Sequence, residues 1–130
     1  MPADPLLIVD DNPTNLKLAR MLLASEGYEV HTALNAEEAL VALTSFRPRL
    51  ILMDIQLPGM DGLTLARQLK NDPETRDIVI LALTAYAMKG DDDRARAAGC
   101  DGYVAKPIDT RALPGVVAAH LARAKESAGP

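Results

Sequence analysis

Short apolar runs alternate with helix-periodic segments along the whole chain, and that alternation restricts the fold more than any other feature. Leu6-Leu7-Ile8-Val9, Leu50-Ile51-Leu52-Met53 and Ile78 to Leu83 are apolar without a polar face. Such runs are expected of strands covered on both sides. Tyr28 to Ala33 is a more polar run, suited to an edge, and Tyr103 to Ala105 is a short fifth. Between them, Asn15 to Glu26 carries Leu16, Ala19, Leu22 and Leu23 at helical spacing, with Asn12 or Thr14 as cap and Gly27 as stop. Asn35 caps a second helix whose Ala39, Leu40, Leu43 and Phe46 form one stripe that ends before Pro48. Leu63 to Lys70, a segment ending near Ala98 before Gly99, and Thr110 to Lys125 complete the helices. In the last, Leu113, Val116, Val117, His120 and Leu121 face inward, and Pro114-Gly115 disturbs the first turn.

Five strands alternating with five helices predict an α/β fold, a parallel sheet flanked by helices. In 130 residues, five such units suit the flavodoxin-like strand order 2-1-3-4-5. One domain is expected over residues 1–130, with its core within about 5–125 and a frayed end from Ser127 to Pro130. The single cysteine, Cys100, allows neither an internal disulfide nor a thiolate zinc cage, which fits a reducing cytoplasm. A net charge of −4, with no two basic residues adjacent, argues against nucleic acid as a partner. Met1 to Pro5 lacks the marks of a signal peptide, and no apolar stretch approaches the ~20 residues that span a bilayer, so no membrane association is expected.

Four strand ends carry reactive residue types: Asp10 and Asp11, Asp54, Thr84 and Lys106. In an open parallel sheet the ligand site lies beyond the carboxyl ends, so these residues should converge. Three carboxylates in one pocket repel each other, and Mg²⁺ with oxygen ligands relieves that repulsion. Lys106 adds a mobile positive charge and Thr84 a hydroxyl. The set fits phosphoryl transfer to a carboxylate, where positioning and charge neutralisation do most of the catalysis. Asp54 is the expected nucleophile, because it stands alone after the most apolar strand while the Asp10-Asp11 pair suits metal binding.

Val9-Asp10-Asp11-Asn12, Leu52 to Gly62 (LMDIQLPGMDG), Leu83-Thr84-Ala85 and Lys106-Pro107 resemble, in order, the four signatures of response regulator receiver domains of the CheY-like kind. The segment Thr84 to Asp91 is closest to receivers of hybrid histidine kinases and to single-domain DivK-type regulators. The resemblance implies that Asp54 accepts phosphate from a histidine kinase or a histidine phosphotransfer protein. It implies Mg²⁺ held by Asp11, Asp54 and the backbone carbonyl of Gln56, with Asp10 acting mainly through water. Thr84 and Lys106 would bind phosphoryl oxygens, and Tyr103 would swing inward as the switch aromatic. The Lys106-Pro107 bond would be cis. Gln56 and Tyr86 would flank the phosphoryl group, and this bulky, uncharged pair is expected to slow self-hydrolysis. The same resemblance implies a phosphoprotein that is no enzyme beyond its own phosphorylation and dephosphorylation, signalling by contact as a monomer or weak dimer to an unidentified target. An isolated receiver of a hybrid kinase is the alternative.

Each residue has a plainer reading by itself. Asp10 and Asp11 could form a capping turn, Thr84 could simply end a strand, Lys106 could be solvated and Tyr103 could belong to the core. Asp91-Asp92-Asp93 reads as a solvated helix start, His31 and His120 as structural, and Cys100 as packing. A flavodoxin would need a Ser/Thr/Gly-rich phosphate loop where this chain has Asp10 to Thr14. An aspartate-nucleophile phosphatase wants a second acid two residues after the first, and that position is Asn12. A receiver-like interaction module that never uses phosphate would not need the complete set.

Overall fold

The computed structural model describes residues 4–57, 59, 62–84, 91–106 and 108–127, with the side chains of 91, 92 and 124–127 left aside. The strands are β1 (Pro5–Val9), β2 (Glu29–Ala33), β3 (Leu50–Asp54), β4 (Val79–Thr84) and β5 (Gly102–Ala105). The helices are α1 (Pro13–Ser25), α2 (Ala36–Ala42), α3 (Gly62–Asn71), α4 (Asp91–Ala97) and α5 (Leu113–Ser127). All strand pairs are parallel, in the order β2-β1-β3-β4-β5. This is the flavodoxin-like α/β architecture that the alternation predicts.

Burial along the strands follows their place in the sheet. β3 and β4 are buried throughout, whereas β2 and β5 include exposed positions and form the two edges. Successive strand residues feed opposite cores. Leu7, Val9, Ile51 and Met53 pack with Leu65, Ala66 and Ala95 of α3 and α4 on one face. Leu6, Ile8, Leu50 and Leu52 pack with Leu16 and Leu23 of α1 and Val117 and Leu121 of α5 on the other. Both faces are therefore apolar, and the strands show no alternation in sequence because both sides are covered.

Two helix boundaries differ from expectation. The stripe through Phe46 does pack on the core, but α2 stops at Ala42. The Thr44 hydroxyl bonds the Val41 carbonyl at 2.6 Å, and such side-chain bonds compete with helix continuation. Phe46 then reaches His31 from a turn, stacked at 4.0 Å between ring centroids. The last helix begins at Leu113 rather than Thr110, placing Pro114 in a first turn, where its missing N–H costs nothing. Asp109 supplies the turn before it, its Oδ1 accepting from the amides of Arg111 and Ala112 at 2.9 and 3.2 Å. The Lys106-Pro107 peptide, Tyr86 and residues 128–130 lie outside the described residues.

Candidate functional site

β1 and β3 are neighbours, but the chain leaves them toward opposite sides of the sheet, so a crevice opens beyond their carboxyl ends. Asp10 follows β1 there, and its amide donates to the Ala33 carbonyl at 3.1 Å. Its Oδ1 accepts from the Asn12 amide at 2.9 Å, while the Asn12 side chain caps α1 through the amides of Thr14 and Asn15. The plain capping role thus falls to Asn12, which frees both aspartates for the crevice. Asp11 is exposed, whereas Asp10 is fully buried.

Asp54 is the last residue of β3 and is 2 % exposed. Its Oδ1 accepts from the Gln56 amide at 2.9 Å, and its Oδ2 accepts from Lys106 Nζ at 2.7 Å. Lys106 follows β5, and its amide donates to the Thr84 carbonyl at 2.6 Å. Thr84 ends β4, buried, one step beyond the Asp54–Leu83 pairing. Tyr103 pairs with Ala82 and is 45 % exposed, so its ring is not in the core. Gln56 is exposed beside the site.

Asp10, Asp11 and Asp54 can each offer a carboxylate oxygen within 4.8 Å of the others. One ammonium, Lys106, stands against these three carboxylates, so two negative charges are left without a cation among these four side chains. Burial pushes Asp10 above the ordinary carboxylate range, a shift opposed by its bond from Asn12 and by the charge of Lys106. Burial would lower Lys106, but its bond to Asp54 and the charges of Asp54, Asp10 and Asp11 prevail and raise it. Asp10 Oδ2 is the buried side-chain oxygen that lacks a hydrogen bond among the described residues. It lies 3.6 Å from Lys106 Nζ, an ionic contact too long for a hydrogen bond. A divalent cation with oxygen ligands fits this donor set on both counts, hard oxygens and uncompensated charge.

Gly62 escapes a reading by residue type. It closes the loop after β3, its amide donating to the Ile55 carbonyl at 3.2 Å. A glycine opening a helix, where glycine is a poor helix former, is the one trace of this in the sequence. The remaining polar residues take structural places. His31 bonds Glu29 at 3.0 Å, His120 bonds the Val116 carbonyl at 3.0 Å, and Cys100 is buried. Asp93 is exposed, as expected of a solvated helix start, while Asp91 and Asp92 have no described side chains.

Comparison with known proteins agrees with this geometry. Residues 6–118 match the response regulator receiver domain. The polar-differentiation response regulator DivK of Brucella anthropi is 50 % identical over 103 residues, 79 % of this chain and 84 % of that protein. A CheY-like receiver domain protein from Methanospirillum hungatei superposes with a TM-score of 0.88 at 30 % identity, covering 96 % of this chain and 98 % of the other. The receiver domain of a signal transduction histidine kinase from Syntrophus aciditrophicus gives 0.81 at 33 % identity, covering 97 % and 92 %. Among the described residues, no helix is long and apolar enough to cross a membrane.

Proposed function

Because the chain belongs to the response regulator receiver domain family, we propose that it is a phosphoacceptor of a two-component or phosphorelay system, with Asp54 as the residue that takes the phosphoryl group. The observation that carries this reading is the Asp54 carboxylate, buried at a strand end and held between Lys106 Nζ and the Gln56 amide. The donor is a phosphohistidine of a histidine kinase or phosphotransfer protein. An Asp54 oxygen attacks phosphorus in line, the O–P bond forming as the P–N bond breaks, and the imidazole nitrogen keeps the electron pair. Lys106 then exchanges a carboxylate oxygen for a phosphoryl oxygen. Asp10, Asp11, Asp54 and the Gln56 carbonyl would hold Mg²⁺, which supplies positive charge to offset that of the transferred group. Thr84 donates its hydroxyl to the phosphoryl group, and Tyr103 turns from its exposed position toward the space that Thr84 leaves.

In this reading residues 1–130 form one cytoplasmic receiver that catalyses only its own phosphorylation and dephosphorylation and passes its signal by protein contact. A receiver of a hybrid kinase would use the same chemistry, and the likeness to the Syntrophus receiver favours keeping it as the second reading. Acetyl phosphate with Mg²⁺ should add one phosphoryl group to the chain, and Asp54→Asn should take up none. Equal labelling of parent and variant would refute the role of Asp54. With the uncharged Gln56 exposed beside the site, the phosphorylated state should outlast seconds without a phosphatase.

A further inference from the structure

Gly62 opens α3 directly on the backbone of the proposed phosphoacceptor. A Cβ at this position would lie 2.1 Å from the Asp54 carbonyl oxygen, 2.8 Å from Ile55 Cα and 2.9 Å from the Asp54 carbonyl carbon. All three neighbours are backbone atoms, so no side chain can rotate aside to make room. Ordinary contact of a Cβ begins at 3.4 Å, so any other residue would force the strand end and the helix start apart by more than an ångström. The Gly62 amide also fastens the two together through the Ile55 carbonyl, and the loop so closed carries Gln56, whose amide holds Asp54 Oδ1. Glycine weakens a helix relative to alanine, so its place at the start of α3 reflects this close approach.

We propose that Gly62 is a positioning residue: by bringing α3 against the Asp54–Ile55 backbone, it sets where the Asp54 carboxylate and the Gln56 carbonyl point. This rests on Asp54 as acceptor. A displacement of about 1 Å in a catalytic group can cost ~100-fold in rate, and loss of a supporting contact costs about 10–100-fold in metal affinity.

The test compares the full chain with Gly62→Ala, using calorimetric titration with Mg²⁺ and labelling by acetyl phosphate. The variant is expected to bind Mg²⁺ at least about tenfold more weakly and to label about 100-fold more slowly, with its circular dichroism retained. Leu65→Ala weakens the same helix at a fully buried position by removing atoms, with none added against the Asp54 backbone, and it should keep both properties close to the parent's. Parent-like Mg²⁺ affinity and labelling in Gly62→Ala would overturn the proposal, as would equal losses in Leu65→Ala. If Gly62→Ala does not fold, nuclear magnetic resonance of the parent decides. The Gly62 amide should shift with that of Gln56 as Mg²⁺ is added while Gly27 stays still, and an unmoved Gly62 would overturn the inference. Labelling of Asp54→Asn fails the underlying reading separately, because Mg²⁺ affinity reports on Gly62 without any phosphoryl transfer.

Discussion

Asp10 bears the cost of the site most directly. Its carboxylate is wholly buried, and one oxygen has no hydrogen-bond donor among the described residues. A buried polar group without a partner costs about 1–3 kcal/mol. Asp10→Asn removes a negative charge that burial and the neighbouring Asp54 disfavour. It should therefore stabilise the fold by an amount of that order in chelator, measured by urea denaturation, and weaken Mg²⁺ binding at the same time. Cys100 makes a separate prediction at the same scale. Burial, then the neighbouring Asp101 charge, push its thiol up to about 11 from 9.0. The raised value means that the folded state holds this proton more tightly than the unfolded chain. The contribution is complete below the unfolded thiol's pKa and is lost as pH rises toward the folded one. Between pH 9.0 and about 11 the stability of the parent relative to Cys100→Ala should fall by about 1.4 kcal/mol per pH unit. A flat difference would contradict the burial of this thiol. Residue types named Asp10, Asp11, Asp54 and Lys106 in advance. They could not say that Asp10 is buried and Asp11 exposed, because that division depends on the turn Asn12 builds.

The secondary elements were legible where local chemistry decides them. Asn35 caps α2 by accepting from the Glu38 amide at 2.8 Å, and Glu38 Oε1 accepts in turn from the Leu34 amide at 2.8 Å. This reciprocal pair satisfies donors that the helix leaves open. Asn35→Ala should cost about 1 kcal/mol in a denaturant titration and leave phosphoryl uptake unchanged, since α2 carries no residue of the site. Boundaries were less legible where two local signals compete. Apolar periodicity runs on through Leu43 and Phe46, yet the Thr44 hydroxyl draws the backbone into a turn. At α5 the opposite holds, for Pro114 delays the helix while Asp109 organises the turn ahead of it.

Across the whole molecule, one topological fact converts sequence into a site. Parallel strands deliver all their carboxyl ends to one edge, so residues from β1, β3, β4 and β5 were legible as a set before their distances were known. The apolar strands ending in them were equally plain. What the set could not reveal was the supporting geometry, such as which Asp54 oxygen Lys106 takes or how closely α3 approaches. Those details arise from packing between segments distant in the chain. The charge imbalance predicts that Mg²⁺ raises the denaturation midpoint of the whole fold, as any ligand of the native state does. The gain should vanish in chelator and shrink in Asp11→Asn.

The claim that Asp54 receives the phosphoryl group has a direct chemical readout. Borohydride reduces an aspartyl phosphate to homoserine, which marks its position in a peptide digest. After treatment with acetyl phosphate and Mg²⁺, homoserine should be found at position 54 alone. Homoserine at 10 or 11, or a phosphorylated residue elsewhere with position 54 intact, would contradict the account.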